Sequence, residues 1–387
     1  MMDLKNTIKG VNRRLKEIVM QLKHRFAEIN SYGLFYLSRE GEQAALYSKI
    51  KSYNYFDPSW YSLAYKNEIE FPHDPLLDYV KAGIQKGRDP SPYFNTILYR
   101  REHDVPPERA LLHYLRNGQI SASGAYRDEQ SLLSAQRNFI EQTETLLFQD
   151  HRTSIKPFAV YLQCGSGSVW QGQLPGRDQS WHLFINHYDA THAGKISCDV
   201  ELRQAGALPG TKFTSFHSLL QKFAHLLDPY EYILLLDDDV LFDAGDISLL
   251  FSLIHQNGWE MAQASLSSDS HCSFPVFINP GKSGWRKVNG VELMMPVFSA
   301  RILGTVSELM AQSISGWGFD AALSVMASRL GFRAAVVDNI IARHIKPINA
   351  DIGPYYQMLH SARIYPEVEF THLQKKYGFT KPLFFEI

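Results

Sequence analysis

The 387-residue chain has no long hydrophobic run, no signal-peptide pattern and almost no net charge. No stretch approaches the roughly 18–20 consecutive apolar residues of a membrane-spanning helix. No basic, apolar and then small-residue order marks a secretory leader. The formal net charge of -1 argues against a chain-wide nucleic-acid-binding field, so no nucleic-acid partner is predicted. These absences predict a cytoplasmic protein, which a local basic patch would allow to sit peripherally on the inner face of the cell membrane.

Cysteine is also scarce. Cys164, Cys198 and Cys272 are odd in number, widely separated and without metal-type spacing, which fits a reducing compartment. The glycine- and serine-rich loop at 165–176 lacks the Gly-x-Gly-x-x-Gly and Walker spacings, so neither of those phosphate cradles is predicted. The 45% hydrophobic and 13% aromatic content is enough for one large or two moderate domains with real cores.

The most informative stretch is Tyr232–Phe242, an apolar run that opens onto three consecutive aspartates. The segment Ile233–Leu236 is typical of a strand buried on both faces of a parallel sheet. Three carboxylates at its carboxyl end would repel one another unless a cation neutralises them or water surrounds them. Ligands of open α/β sheets bind at that end of the strands. The stretch therefore predicts an edge of the sheet that binds a cation and a ligand.

Residues 1–50 are interpreted as an amphipathic helix followed by a linker. Apolar residues recur at helical spacing through the first 30 positions, and the other faces are mainly basic. Such a helix can lie on an anionic membrane surface, pair with a partner helix or dock on its own domain, and the sequence leaves all three open.

Residues 51–150 are predicted to form a small all-α module. It contains a repeat at 56–83 and 94–118, in which a Phe-to-Tyr segment is followed by a Leu-Leu-x-Tyr helix that ends in glycine. Neither copy can bury its Tyr and Leu face alone, so the two are expected to pack together. The polar residues 119–150 are predicted to be helical, which places the domain boundary near 150.

From residue 151 to 387 apolar strands alternate with helical segments. The expected strands are Phe158–Gln163, His182–Asn186, Ile233–Leu236, Met261–Ala264, Val291–Phe298 and Ala334–Val337, and the expected helices are 212–227, 247–255 and 319–330. This alternation predicts an α/β fold with a mostly parallel, doubly wound sheet sandwiched by helices.

Three later features carry chemistry. Alternate residues of an extended segment point the same way, so Asp237 and Asp239 would face one pocket and Asp238 would turn toward backbone or solvent. Carboxylate oxygens suit Mn²⁺ or Mg²⁺, although a solvated turn is the alternative. Asp320, at the start of a predicted helix, is interpreted either as a plain helix cap or as a general base; a capping aspartate would have a low pKa, which still permits base catalysis once a bound substrate desolvates it. His344 would complete the metal site or lie on the surface.

Several sequence blocks occur in a fixed order along the chain: Asn186–Asp189, Tyr230–Ile233, Asp237–Asp239, Gln263–Leu266, Glu292–Ser299, Gly316–Asp320 and Val336–Asp338 with His344. The order of Asp-x-Asp, Gly-Trp-Gly-x-acid and a later histidine resembles metal-dependent GT-A glycosyltransferases, including the galactosyltransferase group. With all of these blocks, residues 181 to 350 are more closely similar to the uncharacterised domain family numbered seven hundred and seven, described as storage-protein-like and related to GT-A enzymes. The N-terminal repeats resemble those beside bacterial polysaccharide glycosyltransferases.

The resemblance implies a Rossmann-like GT-A domain that moves a sugar from a nucleotide-sugar donor to a growing bacterial surface polysaccharide or glycolipid, such as capsule or lipopolysaccharide. The implied metal ligands are Asp237, Asp239 and His344, and the implied acceptor base is Asp320. The candidates for donor binding are Asp189, Asp237 and Asp238. The candidates for acceptor or sugar binding are Glu292, Trp317 and Gly318, with core packing as the alternative. Where the galactosyltransferase pattern has two consecutive acids, this chain has Asp320-Ala321. That departure leaves the base, and with it the stereochemistry, open.

Two other functions compete with this interpretation. The segment Leu236–Val240 also fits the strand and Asp-x-Asp-x-Val of haloacid-dehalogenase-like phosphatases, in which the first Asp is a nucleophile. Against a phosphatase, the acidic strand is about the third of its domain, and no second acid lies four residues after Asp338. The third possibility is a catalytically inactive assembly factor of glycan synthesis.

Overall fold

The computed structural model describes residues 40–117, 124–172, 179–189, 196–241, 244–347 and 353–387. The expected basic helix in residues 1–30 lies outside these residues, as do Gly118 and Phe242. None of the helices within them is long and apolar enough to cross a membrane. The chain packs as two compact units, of which the first holds described residues up to 91 and 103–117, and the second holds 92–102 and those from 124 onward.

The helices and strands are numbered here along the chain. The helices are α1 (Glu40–Tyr53), α2 (Pro58–Ala64), α3 (Pro75–Asp78), α4 (Thr96–His103), α5 (Pro107–Arg116), α6 (Glu129–Glu141), α7 (Lys212–Lys222), α8 (Ala244–Asn257), α9 (Leu303–Met310), α10 (Phe319–Leu330), α11 (Pro354–Ser361) and α12 (Pro366–Tyr377). The strands are β1 (Thr145–Asp150), β2 (Phe158–Cys164), β3 (Trp181–His187), β4 (Val200–Gln204), β5 (Tyr232–Leu236), β6 (Val240–Leu241), β7 (Met261–Leu266), β8 (Trp285–Val288), β9 (Val297–Ser299) and β10 (Ala334–His344).

The first unit is helical, and two of its helices, α2 and α3, begin at Asp-Pro pairs. The side chain of Asp57 accepts the N–H of Trp60, and the side chain of Asp74 accepts the N–H of Leu77, each with proline at the first helical position. These are N-caps, which satisfy backbone donors that the helix itself leaves open. The expected second repeat is divided, because residues 94–102 pack with the second unit and 103–117 with the first.

A buried carboxylate lies at the centre of the first unit. Asp78 is 0% exposed. One of its oxygens accepts the N–H groups of Glu70 and Phe71, and the other accepts the Tyr61 hydroxyl at 2.8 Å and the Arg88 guanidinium at 2.7 Å. Four donors thus satisfy a charge that would otherwise be costly to bury.

Within the described residues, the second unit is built on a ten-stranded sheet. The strand order is β1-β4-β3-β2-β5-β9-β7-β10-β6, and β8 pairs with β10. The strands β4, β3, β2 and β5 are parallel, as are β7 and β10. Because β9 is antiparallel to both β5 and β7, all six of these strands run in the same direction. The predicted α/β fold with a mostly parallel sheet is confirmed, and the carboxyl ends of the six strands share one edge.

Helices cover both faces of this sheet. Phe158 of β2 stacks on Phe251 of α8 with ring centroids 4.7 Å apart. Three residues further along the same strand, Tyr161 meets Phe216 of α7 at 5.0 Å. Because side chains of a strand alternate between faces, residues three apart point to opposite sides. The two helices therefore lie on opposite faces and enclose the core.

Two expectations about local structure are wrong. Residues 119–150 are not simply helical, because β1 follows α6 and pairs antiparallel with β4 at the edge of the sheet. The boundary expected near 150 therefore falls inside the second unit as packing defines it. The strand expected at Val291–Phe298 is reduced to β9, since Pro296 has no N–H for a ladder. The residues before it cross the end of β5, where the Met294 carbonyl accepts the Asp237 N–H.

Candidate active site at the carboxyl edge of the sheet

The three aspartates lie in a turn between β5 and β6, which the Val240 N–H closes onto the Asp237 carbonyl. The alternation expected for an extended segment does not apply there, so each carboxylate takes its own direction. Asp238 was expected to turn toward backbone or solvent, and this is wrong. It accepts the Tyr188 hydroxyl at 3.0 Å and faces the Lys346 ammonium at 3.5 Å.

Asp239 meets His344, which comes from the far end of the sheet. The register of β10 slips between Val337 and Ile341, and the strand then pairs antiparallel with β6, so that His344 lies opposite Val240. Its Nε2 is 3.4 Å from Asp239 Oδ1. Its Nδ1 is 2.7 Å from the His271 carbonyl oxygen, which can only accept. Nδ1 therefore carries a proton, and Nε2 faces the carboxylate.

This contact shifts the pKa of both groups. Burial raises the pKa of Asp239, but the hydrogen bond from His344 and the charges of His344 and Lys346 outweigh it, so the pKa lies below its usual value. Burial lowers the pKa of His344, but the hydrogen bonds to Asp239 and to the His271 carbonyl outweigh it, so that pKa lies above its usual value. Each group stabilises the charged form of the other.

Asp237 has a partner that the sequence reasoning missed. Lys212 is the first residue of α7, directly after the capping residue Thr211. Its Nζ lies 2.5 Å from Asp237 Oδ1 and donates to the Leu293 carbonyl, also at 2.5 Å. A cation in the first turn opposes the helix dipole. Because acidic residues are favoured in the first turn of a helix, a lysine there was a sequence signal that an acidic partner lies nearby.

Opposing effects act on the pKa of Asp237. Partial burial raises its pKa, the Lys212 charge lowers it, and the charges of Asp239 and Asp238 raise it again, for a net upward shift. Its side chain is 34% exposed, whereas that of Lys212 is 9% exposed.

The expected metal trio is not assembled. Among the residues that the structure describes, no three His, Cys, Asp or Glu side chains are grouped to hold a metal ion. Asp239 and His344 face each other, whereas Asp237 points to Lys212. The Asp239–His344 pair nevertheless fits a divalent cation that takes further ligands from phosphate and water. A ligating imidazole commonly donates its other N–H to a carbonyl, as His344 does to His271.

Two glycines shape the turn that precedes α10. Gly316 and Gly318 have φ of 88° and 79°, a region that side chains disfavour. A Cβ on Gly316 would lie 2.6 Å from the ring of Phe213. Phe213 also stacks on Phe319 at 5.0 Å, so the first turn of α7 packs against the first turn of α10. This contact holds Lys212 and Asp320 in one neighbourhood.

A buried glutamate accepts hydrogen bonds from the backbone that leads into the same turn. Glu369 is 0% exposed and accepts the N–H groups of Ile314 and Ser315 at 2.9 and 2.8 Å. It also accepts the Gln136 side-chain amide at 2.7 Å. No sequence pattern marked Glu369, because its partners lie far away along the chain.

Asp320 is not the helix cap. Gly318 occupies the cap position of α10, and Asp320 is the second helical residue. Its carboxylate is 8% exposed and accepts the Ala321 N–H at 2.8 Å. Burial raises the pKa of Asp320 to about 7, although backbone hydrogen bonds oppose the rise. The low pKa expected of a capping aspartate is therefore wrong.

Glu292 is a buried acid that interacts electrostatically with both Asp320 and Asp237. It is 5% exposed, and its Oε2 lies 3.7 Å from the Cys272 thiol. Burial raises its pKa to about 8, helped by the charge of Asp320 and, more weakly, of Asp237, while His344 opposes the rise. Glu292 thus lies within electrostatic range of both the aspartate turn and the start of α10.

The other predicted residues border this cluster. Trp317 lies between the two glycines, and its indole N–H donates to the Tyr356 hydroxyl at 3.3 Å. Asp189 follows β3, and its charge is the last of the causes, after burial and Asp238, that raise the pKa of Tyr188. Gly318 approaches Phe370 so closely that a Cβ would lie 3.1 Å from its Cα.

No protein-family model and no curated protein matches the sequence. Among solved structures, S. aureus TarS 1-349 is similar at 10% sequence identity, with a TM-score of 0.35, over 57% of this chain and 72% of that chain. The same protein in complex with UDP-GlcNAc gives 8% identity, a TM-score of 0.32 and coverages of 57% and 73%. A197 from STIV is similar at 14% sequence identity, with a TM-score of 0.29, over 49% of this chain and 85% of that chain. All three TM-scores are low, so the function of this chain has to be inferred from its own residues.

Proposed function

We propose that the carboxyl edge of this sheet is the active site of a glycosyltransferase that uses a nucleotide-sugar donor. The observation that carries the proposal is the contact between Asp239 and His344. It pairs a carboxylate with an oriented imidazole at the edge where α/β sheets bind ligands, and the buried Glu292 lies within electrostatic range of both His344 and Asp320.

In the proposed reaction an acceptor hydroxyl attacks the anomeric carbon of the donor sugar. The bond from that carbon to the diphosphate oxygen breaks, and its electron pair leaves with the diphosphate. The hydroxyl proton passes to Asp320. A base works best when its pKa is close to the working pH, and the pKa of about 7 at Asp320 meets that condition.

Glu292 has the higher pKa of the two buried acids. With a pKa of about 8 its carboxyl group keeps its proton, so it can donate a hydrogen bond to a sugar hydroxyl. Trp317 and Gly318 are proposed to line the sugar subsite next to it. Asp189 and Asp238, at the ends of β3 and β5, are proposed to border the donor nucleotide.

Asp239 and His344 would hold Mn²⁺ or Mg²⁺. When bound, such an ion supplies positive charge to the departing diphosphate as a Lewis acid. The acceptor that we propose is a growing bacterial surface polysaccharide or glycolipid, which rests on the resemblance of the N-terminal repeats. A peripheral position on a membrane would bring the enzyme to such an acceptor.

A thermal-shift screen tests the proposal. UDP, GDP, CDP and dTDP are added to the full chain with and without Mn²⁺, and UDP-GlcNAc, which the TarS structure holds, is the first sugar donor. Binding to the native state raises the melting temperature. We expect at least one nucleotide to stabilise the protein more with Mn²⁺, and Asp239→Asn to lose that extra stabilisation. No shift with any nucleotide would contradict the proposal.

A phosphomonoesterase is less well supported. It would need the Asp237 carboxylate as nucleophile. In the structure Asp237 Oδ1 is held by Lys212 at 2.5 Å. Hydrolysis of a phosphomonoester such as p-nitrophenyl phosphate, abolished by Asp237→Asn, would favour this alternative.

A further inference from the structure

We propose that Lys212 is a fixed cationic subsite for the diphosphate of the donor, so that nucleotide recognition at this edge does not depend on a metal ion alone. The inference rests on the proposed function and deepens it. It assigns a binding role to a residue in none of the sequence motifs.

The position of Lys212 is the first support. Its ammonium is in contact with the first aspartate of the turn, Asp237, at 2.5 Å. The ammonium therefore supplies positive charge at the aspartate turn, in the region where a metal ion was expected.

The second support is that the ammonium is held in place. The Leu293 carbonyl accepts one N–H, Asp237 accepts another, and the side chain lies 5.4 Å over the ring of Phe213. An ammonium group has three N–H donors. These two hydrogen bonds, the only ones that the ammonium makes to the described residues, leave one donor for a phosphate oxygen. Because the group is already oriented, binding an anion there costs little reorganisation.

The third support is the charge balance of the edge. Asp237, Asp238 and Asp239 would repel a diphosphate unless cations offset them. Lys346 faces Asp238 and Asp239, but its side chain is 45% exposed. The side chain of Lys212 is 9% exposed, so water and salt screen its charge much less. Lys212 is therefore the stronger of the two cations toward a bound phosphate.

Calorimetry on the full chain in EDTA tests the inference. For each of the four bases, the affinity of the nucleoside diphosphate is compared with that of the nucleoside, which isolates the diphosphate contribution. We expect wild type to bind the diphosphate of its preferred base about tenfold or more tightly than the nucleoside without metal. Lys212→Met should remove most of that difference, and Lys212→Arg should restore part of it.

Lys156→Met is the matched control. Lys156 is also partly buried and donates to a backbone carbonyl, that of Trp181, but at the amino end of β3. This variant should keep the wild-type difference between diphosphate and nucleoside.

The double variant Lys212→Met, Asp237→Asn separates misfolding from lost binding, because it leaves no unpaired carboxylate. If it melts like wild type and still lacks the diphosphate contribution, Lys212 is supported. A full diphosphate contribution in Lys212→Met or in the double variant would overturn the inference, as would a wild type that shows this contribution only with Mn²⁺. If no nucleoside diphosphate binds wild type even with Mn²⁺, the proposed function itself fails.

Discussion

Asp78 in the first unit and Asp320 in the second are both buried, at 0% and 8% exposure. Asp78 accepts hydrogen bonds from two backbone N–H groups, a tyrosine hydroxyl and a guanidinium. Among the described residues, Asp320 accepts only from backbone N–H groups, its own and that of Ala321, and its pKa is raised to about 7. The donors around Asp78 stabilise its charged form, so this carboxylate contributes to the structure of the first unit. Asp320 has fewer donors to stabilise its charge, so its carboxylate can take up and release a proton near neutral pH.

The largest expected effect is on catalysis at Asp320. Asp320→Asn keeps the shape of the side chain but cannot take a proton. We expect kcat to fall by about 10²- to 10⁴-fold, with the donor affinity nearly unchanged. Steady-state kinetics with calorimetry of the donor nucleotide measures both. A variant that keeps wild-type kcat would remove Asp320 from the reaction.

The next effect is on stability in the first unit. Arg88→Met leaves Asp78 buried without its cation, which should lower the free energy of unfolding by about 3–5 kcal/mol. Lys86→Met is the control, because the Lys86–Glu70 pair is 47% and 56% exposed and should contribute about 1 kcal/mol or less. Denaturant unfolding measures both variants. Equal losses in the two would mean that the Asp78 cluster does not stabilise the unit.

A smaller effect concerns stability and pH at Glu292. Its pKa rises from about 4.5 unfolded to about 8 folded, so the folded state holds the proton more tightly. That stabilisation is complete below pH 4.5 and is lost as the pH rises toward 8. At pH 9, Glu292→Gln should therefore be more stable than wild type by roughly 2–4 kcal/mol, with little difference at pH 4.5. Denaturant unfolding at both values checks this, and a pH-independent difference would contradict it.

The smallest expected effect is the pH dependence of the rate. kcat/KM should rise as Asp320 loses its proton near pH 7 and fall as Glu292 loses its proton near pH 8. Asp320→Asn should remove the acid limb, and Glu292→Gln the alkaline limb. A flat wild-type profile between about pH 6 and 9 would show that neither group titrates in the reaction.

Continuous apolar runs made much of the sheet predictable. The strands β2, β3, β5 and β7 are buried throughout or nearly so, and the sequence marks them without any tertiary information. The edge strand β1 and the short β8 are largely exposed, and in β1 even the apolar Leu146 and Phe148 lie at the surface, so neither shows the continuous buried run of the central strands. They become strands because a neighbouring strand offers free hydrogen-bonding groups, which no local pattern records.

The candidate site was predictable in its residue types but not in its pairings. The Asp-x-Asp motif, the Gly-Trp-Gly turn and the late histidine indicated which residues to examine. The turn at Asp237–Asp239 sends each carboxylate to a different partner, and the Lys212, His271 and Glu369 contacts depend on long-range packing. Burial also reversed the expected pKa of Asp320, because burial of a helical residue cannot be read from its position in a motif.

The most direct test of the proposed transferase is turnover of a nucleotide sugar. UDP-GlcNAc and the corresponding GDP-, CDP- and dTDP-sugars are incubated with the full chain, Mn²⁺ and bacterial surface polysaccharide or glycolipid acceptors, and release of nucleoside diphosphate is followed for wild type and Asp239→Ala. We predict release by wild type, and a loss of about a hundredfold or more in Asp239→Ala with its fold intact. Unchanged release in Asp239→Ala would contradict the account. So would tight nucleotide binding by wild type without any turnover, the result expected of an inactive assembly factor.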